Sequence, residues 1–153
     1  MTDNNVIDRC YELSKKMRVK ALEMAKSTGK AGAHLGGSFS AMDIIATLYG
    51  GVLRVKTDEP NYEFRDRFIT SKRHCYLASY SALEECGMIT DEQLMSFHTD
   101  GGILAGYPWN NQLGLDFSGG SLGMGLSVGI GMALVAKRKK LEYKTYILLG
   151  DGE

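Results

Sequence analysis

Proline is scarce in this sequence, with 2 residues in 153, and cysteine is hardly commoner at 3. Little proline beside 19 glycines argues against disorder and for tight turns and close backbone approaches, because the glycines cluster next to apolar helices. The cysteines, Cys10, Cys75 and Cys86, are odd in number and lack a Cys-x-x-Cys spacing. They read as reduced, mostly buried thiols of a cytoplasmic protein rather than a disulfide framework. Net charge is absent, 18 basic residues balancing 18 acidic ones, so nothing argues for a nucleic-acid surface. A secretory leader is not expected, since the chain starts on the polar, acidic Thr2-Asp3-Asn4-Asn5. The uncharged run from Phe117 to Ala136, followed by Lys137-Arg138-Lys139-Lys140, opens on glycine and serine. Its continuous apolar part is too short to span a bilayer, so no membrane segment is expected. Internal repeats and low-complexity linkers are also missing, and 153 residues fit one folding unit with a real core.

What is present is an alternation of helix, strand and helix in which strands run into polar loops. Val6 to Ser27 has apolar residues near one face (Val6, Cys10, Leu13, Met17, Met24) and basic residues on the rest, the pattern of a solvated helix. A glycine-rich loop around His34 follows, and Ser40 with Asp43 predicts a capping box, with Phe39 and Ile44 as its hydrophobic staple. Ile44, Ile45, Leu48, Tyr49 and Val52 are expected to face a core, with Gly50-Gly51 closing that helix. Arg67 to Thr70 reads as a short strand, ending in the polar loop Ser71-Lys72-Arg73-His74. Cys75 to Cys86 is a helix with Tyr76, Leu77, Tyr80 and Leu83 inward, and Thr90 with Gln93 caps another short one. The stretch from His98 to Phe117 is irregular, and loops of such length inside compact domains usually serve function.

The last third carries the densest signal. Gly119-Gly120-Ser121-Leu122-Gly123 leads into a helix to about Lys139, with two interleaved rows at four-residue spacing. One row is apolar (Leu122, Leu126, Ile130, Leu134) and its neighbour small (Ser121, Gly125, Gly129, Ala133). Interior glycines each cost a helix about 1 kcal/mol relative to alanine, so a second backbone or a ligand must lie very close. The apolar strand Tyr146-Ile147-Leu148-Leu149 then ends in Gly150-Asp151-Gly152-Glu153. At the carboxyl end of a parallel strand, an aspartate between glycines suits a small hard cation, and the glycines admit phosphate close to the backbone. The expected fold is therefore α/β, a parallel sheet with helices on both faces. A Rossmann site is excluded, because Gly-x-Gly-x-x-Gly is absent and no strand enters the glycine turn.

Taken together, Ala-His34-Leu-Gly-Gly-Ser, Ser-Lys-Arg-His74 and the glycine run closed by Gly-Asp151-Gly-Glu resemble the N-terminal, diphosphate-binding section of transketolases. The likeness spans nearly all of residues 1–153. It implies thiamine diphosphate as cofactor, with magnesium, calcium or manganese, and transfer of a two-carbon ketol unit from a ketose phosphate donor to an aldose acceptor. By position, it makes Asp151 the first metal ligand and lays Gly152 against the diphosphate. Gly120, Ser121 and Leu122 would pack beside the cofactor, His74 would lie near diphosphate and donor sugar, and His34 would hydrogen-bond substrate oxygens and help proton transfer. The chain departs from the family's pattern at Arg73, where a glycine usually precedes the second histidine. It departs again at Tyr107, which follows Gly106 where a histidine usually stands and would still offer one donor to the substrate.

The resemblance also implies that the metal site continues past Glu153 to an asparagine and that a pyrimidine-binding domain supplies an activating glutamate. The expectation is thus a split enzyme, inactive by itself, whose separate partner chain or chains complete the active site in a dimerised heteromer. The rival expectations are a non-catalytic assembly or regulatory subunit, or a fragment of an enzyme similar to deoxyxylulose-phosphate synthase.

Overall fold

The structure, a computed structural model, describes residues 3–106, 113–117 and 121–153. The described residues form two compact units interleaved along the chain. One holds the chain through Val52 together with His74–Gly106; the other holds Leu53–Arg73 and the described residues beyond position 112.

The first unit is helical. Helix α1 (Asp3–Ser27) packs with its Leu13, Met17, Ala21 and Met24 face buried, close to the face that the periodicity predicts. Helix α4 (Tyr76–Glu85) packs on it, with every residue from Tyr76 to Leu83 buried. Between them in sequence come α2 (Leu35–Phe39), α3 (Met42–Thr47) and a π-helical turn at Leu48–Val52. Gly50 lets that turn seat on α1, since a Cβ there would lie 2.9 Å from the Cys10 Sγ. Helix α5 (Asp91–Met95) starts on the predicted capping box: Thr90 Oγ1 accepts from the Gln93 amide and Gln93 Oε1 from the Thr90 amide. Ile89, just before the cap, and Leu94, in the helix, are both buried.

Three local expectations fail here. The segment around His34 is not all loop but contains α2. The Ser40–Asp43 capping box does not form: Ala41 precedes α3, and Ser40 Oγ donates to the Gly37 carbonyl. Asp43 is taken instead by α1, where the Arg18 guanidinium lies 3.0 Å from its Oδ2 and Ser14 donates to its Oδ1. The helix is rotated accordingly. Met42, Ile45 and Ala46 face the core, whereas Ile44 and Val52 stand 50% and 42% exposed.

The second unit is α/β. Strands β1 (Arg67–Thr70) and β2 (Thr145–Leu148) pair in parallel, Arg67 opposite Thr145 and Thr70 opposite Leu148. Helix α6 (Met124–Lys139) lies against both. The glycine row makes this contact. A Cβ at Gly125 would sit 2.5 Å from the Ser71 Cβ, and one at Gly129 would sit 2.2 Å from the Ile147 Cδ1. The apolar row faces outward, with Leu122 60%, Leu126 44%, Ile130 52% and Leu134 60% exposed. Where the strands begin, the buried Asp66 accepts from the backbone amides of Arg54 and Lys144 and from the Arg54 guanidinium at 2.9 Å. Burial opposes its charge, but these donors outweigh that and hold the carboxyl below the ordinary aspartate value. Among the described residues, no helix is long and apolar enough to cross a membrane.

Candidate active site

Each unit presents one cluster of the residues singled out in the sequence. In the helical unit, α2 brings the two histidines together. His34 is the residue before its first turn. Gly37 lies so close to His74 that a Cβ would stand 2.6 Å from the His74 carbonyl oxygen and 2.7 Å from its Cβ. The buried Ser38 donates its hydroxyl to that same carbonyl at 3.1 Å. With its backbone pinned in this way, His74 sets its ring 4.7 Å from that of His34, centroid to centroid, tilted by 58°. His34 is exposed and His74 half-buried. Beneath them Tyr76 is almost wholly buried, its ring packed against that of Phe97 at 5.3 Å with a tilt of 32°, and its hydroxyl lies 3.1 Å from His34 Nδ1.

In the α/β unit, the carboxyl ends of both strands and the start of α6 meet at Glu153. Its Oε1 accepts from the Gly123 amide at 2.8 Å and from the Ser71 hydroxyl at 3.2 Å; its Oε2 accepts from the Gly150 amide at 2.8 Å. Ser71 Oγ in turn accepts from the Gly125 amide. A carboxylate at the amino end of a helix is favoured by the helix dipole. Desolvation works against the charge, yet the two amides and the hydroxyl prevail, and the Glu153 carboxyl is held below the ordinary glutamate value. The Gly-Asp-Gly-Glu turn is thereby tied to the glycine turn that opens α6. Asp151 stands exposed at its tip, and no described residue hydrogen-bonds or ion-pairs with its carboxylate. Gly152 has open space where a Cβ would be. Ser121 and Leu122 are exposed in the turn before α6. Gly120 and Tyr107 lie outside the described residues.

A family model described as "Transketolase, thiamine diphosphate binding domain" matches residues 11–153. The chain belongs to the transketolase family. It is 44% identical over 140 residues to one of the subunits of the apulose-4-phosphate transketolase of Phocaeicola vulgatus, covering 92% of this chain and 49% of that protein. It is 35% identical over 127 residues to the 6-deoxy-6-sulfo-D-fructose transketolase subunit SqwG of a Clostridium species, covering 82% of this chain and 46% of that protein. Among solved structures it is similar to the transketolase of Leishmania mexicana, with a TM-score of 0.82 at 25% identity over 94% of this chain and 23% of that one. The chain thus spans about half the length of the two subunits and about a quarter of the single-chain enzyme.

The α/β unit's residues fit the transketolase cofactor. Magnesium is commonly held by one or two carboxylates together with substrate phosphate oxygens rather than by an all-protein cage. Asp151 is a lone, unengaged carboxylate of that kind, and the described residues hold no group of three or more potential metal ligands. The open flank of Gly152 admits a phosphate to the backbone without a side-chain clash. Three participants in the geometry are missing from the sequence-based site: Tyr76, which reads as plain core, Ser71, which reads as loop, and Glu153, which reads as no more than the acidic end of its motif. The last two belong to the motifs themselves. Tyr76 carries no local signal at all.

Proposed function

We propose that this chain is one subunit of a split, thiamine diphosphate-dependent transketolase. In this reading it builds the diphosphate and donor-sugar side of the active site, as the front part of a diphosphate-binding domain, and a separate chain supplies the pyrimidine side. The observation that carries the proposal is the unengaged Asp151 carboxylate beside open Gly152, on a turn locked to the start of α6 by Glu153, in a chain 44% identical to half of a named transketolase subunit. The donor would be a ketose with an anionic group, as both relatives' names specify phosphate or sulfonate sugars.

When bound, the thiamine group supplies the electron sink for carbon–carbon cleavage. This chain's residues bind and orient. Asp151 would hold the divalent cation, Gly152 would lie against the diphosphate, and Gly120, Ser121 and Leu122 would line the approach to its rings. His74 would meet the diphosphate and donor sugar, while His34 and Tyr107 would offer hydrogen bonds to substrate oxygens, where charge develops during transfer. A covering partner is supported by the row Leu122, Leu126, Ile130 and Leu134, an exposed apolar surface of the sort that marks an interface. A dimerised heteromer in the cytoplasm completes the reading; for the cytoplasm, the support is that Cys10, Cys75 and Cys86 form no disulfide among the described residues.

The test is reconstitution. The chain is co-expressed with the product of the adjacent gene, and ketol transfer from anionic ketoses is measured with and without thiamine diphosphate and magnesium. Transfer that needs both chains and both cofactors supports the proposal. An assembled complex that binds no thiamine diphosphate and transfers nothing makes the chain a non-catalytic subunit instead.

A further inference from the structure

We infer that Tyr76 is a positioning residue that fixes the tautomer of His34, so that His34 serves the reaction as a hydrogen-bond donor through Nε2–H and not as a base at that atom. This deepens the reading above and rests on its assignment of His34 to substrate.

The inference follows from counting one hydroxyl's donors and acceptors. A phenol has one hydrogen to give and two lone pairs to receive with. The Tyr76 oxygen accepts from the backbone amide of His34 at 3.3 Å and lies 3.1 Å from Nδ1 of the same residue. Among the described residues, no other group hydrogen-bonds with this hydroxyl, and the side chain is 6% exposed. A buried hydroxyl left without an acceptor costs about 1–3 kcal/mol. The phenolic hydrogen is therefore satisfied by pointing at Nδ1, which must then be an unprotonated acceptor. A hydrogen on Nδ1 would face the phenol donor to donor or turn its hydrogen away to nothing. In a neutral imidazole the remaining hydrogen is on Nε2, and which nitrogen carries it is decided by the bond the other makes.

The surroundings keep the arrangement rigid. Tyr76 sits in the first turn of α4, its ring packed at a tilt 5.3 Å from Phe97 and 6.4 Å from Tyr80, with Tyr80 anchored by a 2.6 Å bond to the Ala105 carbonyl. On the other side the His34 backbone is held through its own amide, so both ends of the residue are bound to one oxygen. The ring of His34 meets Tyr76 edge-on at 87°, and the residue is exposed. An Nε2–H so presented suits an oxygen that gains negative charge, a role that calls for a donor already oriented before the reaction begins.

The test reads the tautomer directly. The full chain is labelled with nitrogen-15 histidine and purified in its native assembly, and two-bond nitrogen–proton correlations are recorded. With 3 histidines in the sequence, His34 is assigned by His34→Gln. The wild type is expected to show an unprotonated Nδ1 and a protonated Nε2 at His34. Tyr76→Phe, which keeps the ring and its packing, is expected to give a mixture of tautomers. It should lower kcat by about 10- to 100-fold, the range known for removing the partner that orients a metal-bound histidine, with the cofactor affinity unchanged. A wild-type His34 protonated at Nδ1, or a tautomer identical in Tyr76→Phe, overturns the inference, and the wild-type spectrum decides even if the variant does not fold. A shifted tautomer with unaltered kcat overturns the assignment of His34 to the reaction while the tie to Tyr76 stands. Inactivity of the wild-type assembly bears on the proposed function alone, since the spectrum needs no turnover.

Discussion

Replacing Gly125 with alanine should destabilise the chain although it improves the helix. In a free helix the change gains about 0.8–1.0 kcal/mol. Here the new methyl would arrive 2.5 Å from the Ser71 Cβ, 2.7 Å from its Oγ and 2.8 Å from its Cα. Those atoms belong to the residue that follows β1, so no flexible side-chain tip can swing aside. Overpacking of this kind costs about 1–3 kcal/mol, occasionally more. Pushing α6 away also breaks the Gly125 amide's bond to Ser71 Oγ, worth about 1 kcal/mol. The net expectation is a loss of about 1–3 kcal/mol. Gly131, in the same helix, has nothing within 4 Å of its would-be Cβ, so Gly131→Ala should gain up to about 1 kcal/mol. The assay is urea unfolding of the isolated chain followed by circular dichroism, where slopes of about 1–3 kcal/mol per molar put the two midpoints on opposite sides of the wild type. If both alanines raise the midpoint equally, α6 is not seated on the strands through its glycines.

Three further outcomes are expected. Asp66 holds its carboxyl below the ordinary value despite burial, so its bonds stabilise above the unfolded aspartate pKa of about 3.9 and are lost as pH falls through the lower folded value; acid unfolding of Asp66→Asn should lack that component. Thr90→Ala removes one arm of the capping box on α5 and should cost about 1 kcal/mol in chemical denaturation, while Ser40→Ala, at the box that does not form, should cost less than half of that. Burial, with Glu85 beside it, pushes the Cys86 thiol up to about 11, so its labelling by a thiol-reactive disulfide at pH 8 should be slow and should accelerate as pH approaches that value.

The short strand at Arg67–Thr70, the helix from Tyr76 and the Thr90–Gln93 cap are all legible because each is decided within a few residues: an apolar run bounded by polar loops, or a side chain closing on its own backbone. The failed cap at Ser40 has an equally good local pattern. It loses because α1, far upstream in the chain, offers Asp43 a guanidinium and a hydroxyl, and no local window contains that competitor. In α6 the sequence shows both rows but not which one packs. Hydrophobicity favours the leucine row, whereas close approach favours the glycine row. The strands take the glycines, and the leucines are left outward.

The candidate site divides in the same way. His34, His74, Asp151 and Gly152 are visible as residue types in motifs. The clamp through Glu153 and the hold of Tyr76 on His34 are not, because each joins segments distant in sequence through a single polar atom. Arg73, where the family has glycine, lies half-buried in the turn just before His74. Nothing in the structure explains that substitution.

The central claim is that Asp151 anchors a diphosphate through a divalent cation. Isothermal titration of the purified assembly with thiamine diphosphate, with and without magnesium, tests it for the wild type and Asp151→Ala. The account expects saturable binding that needs magnesium and is weakened at least about 100-fold by the substitution, in line with losing a charged metal ligand. Equal affinity for the two proteins, or binding indifferent to magnesium, would contradict it.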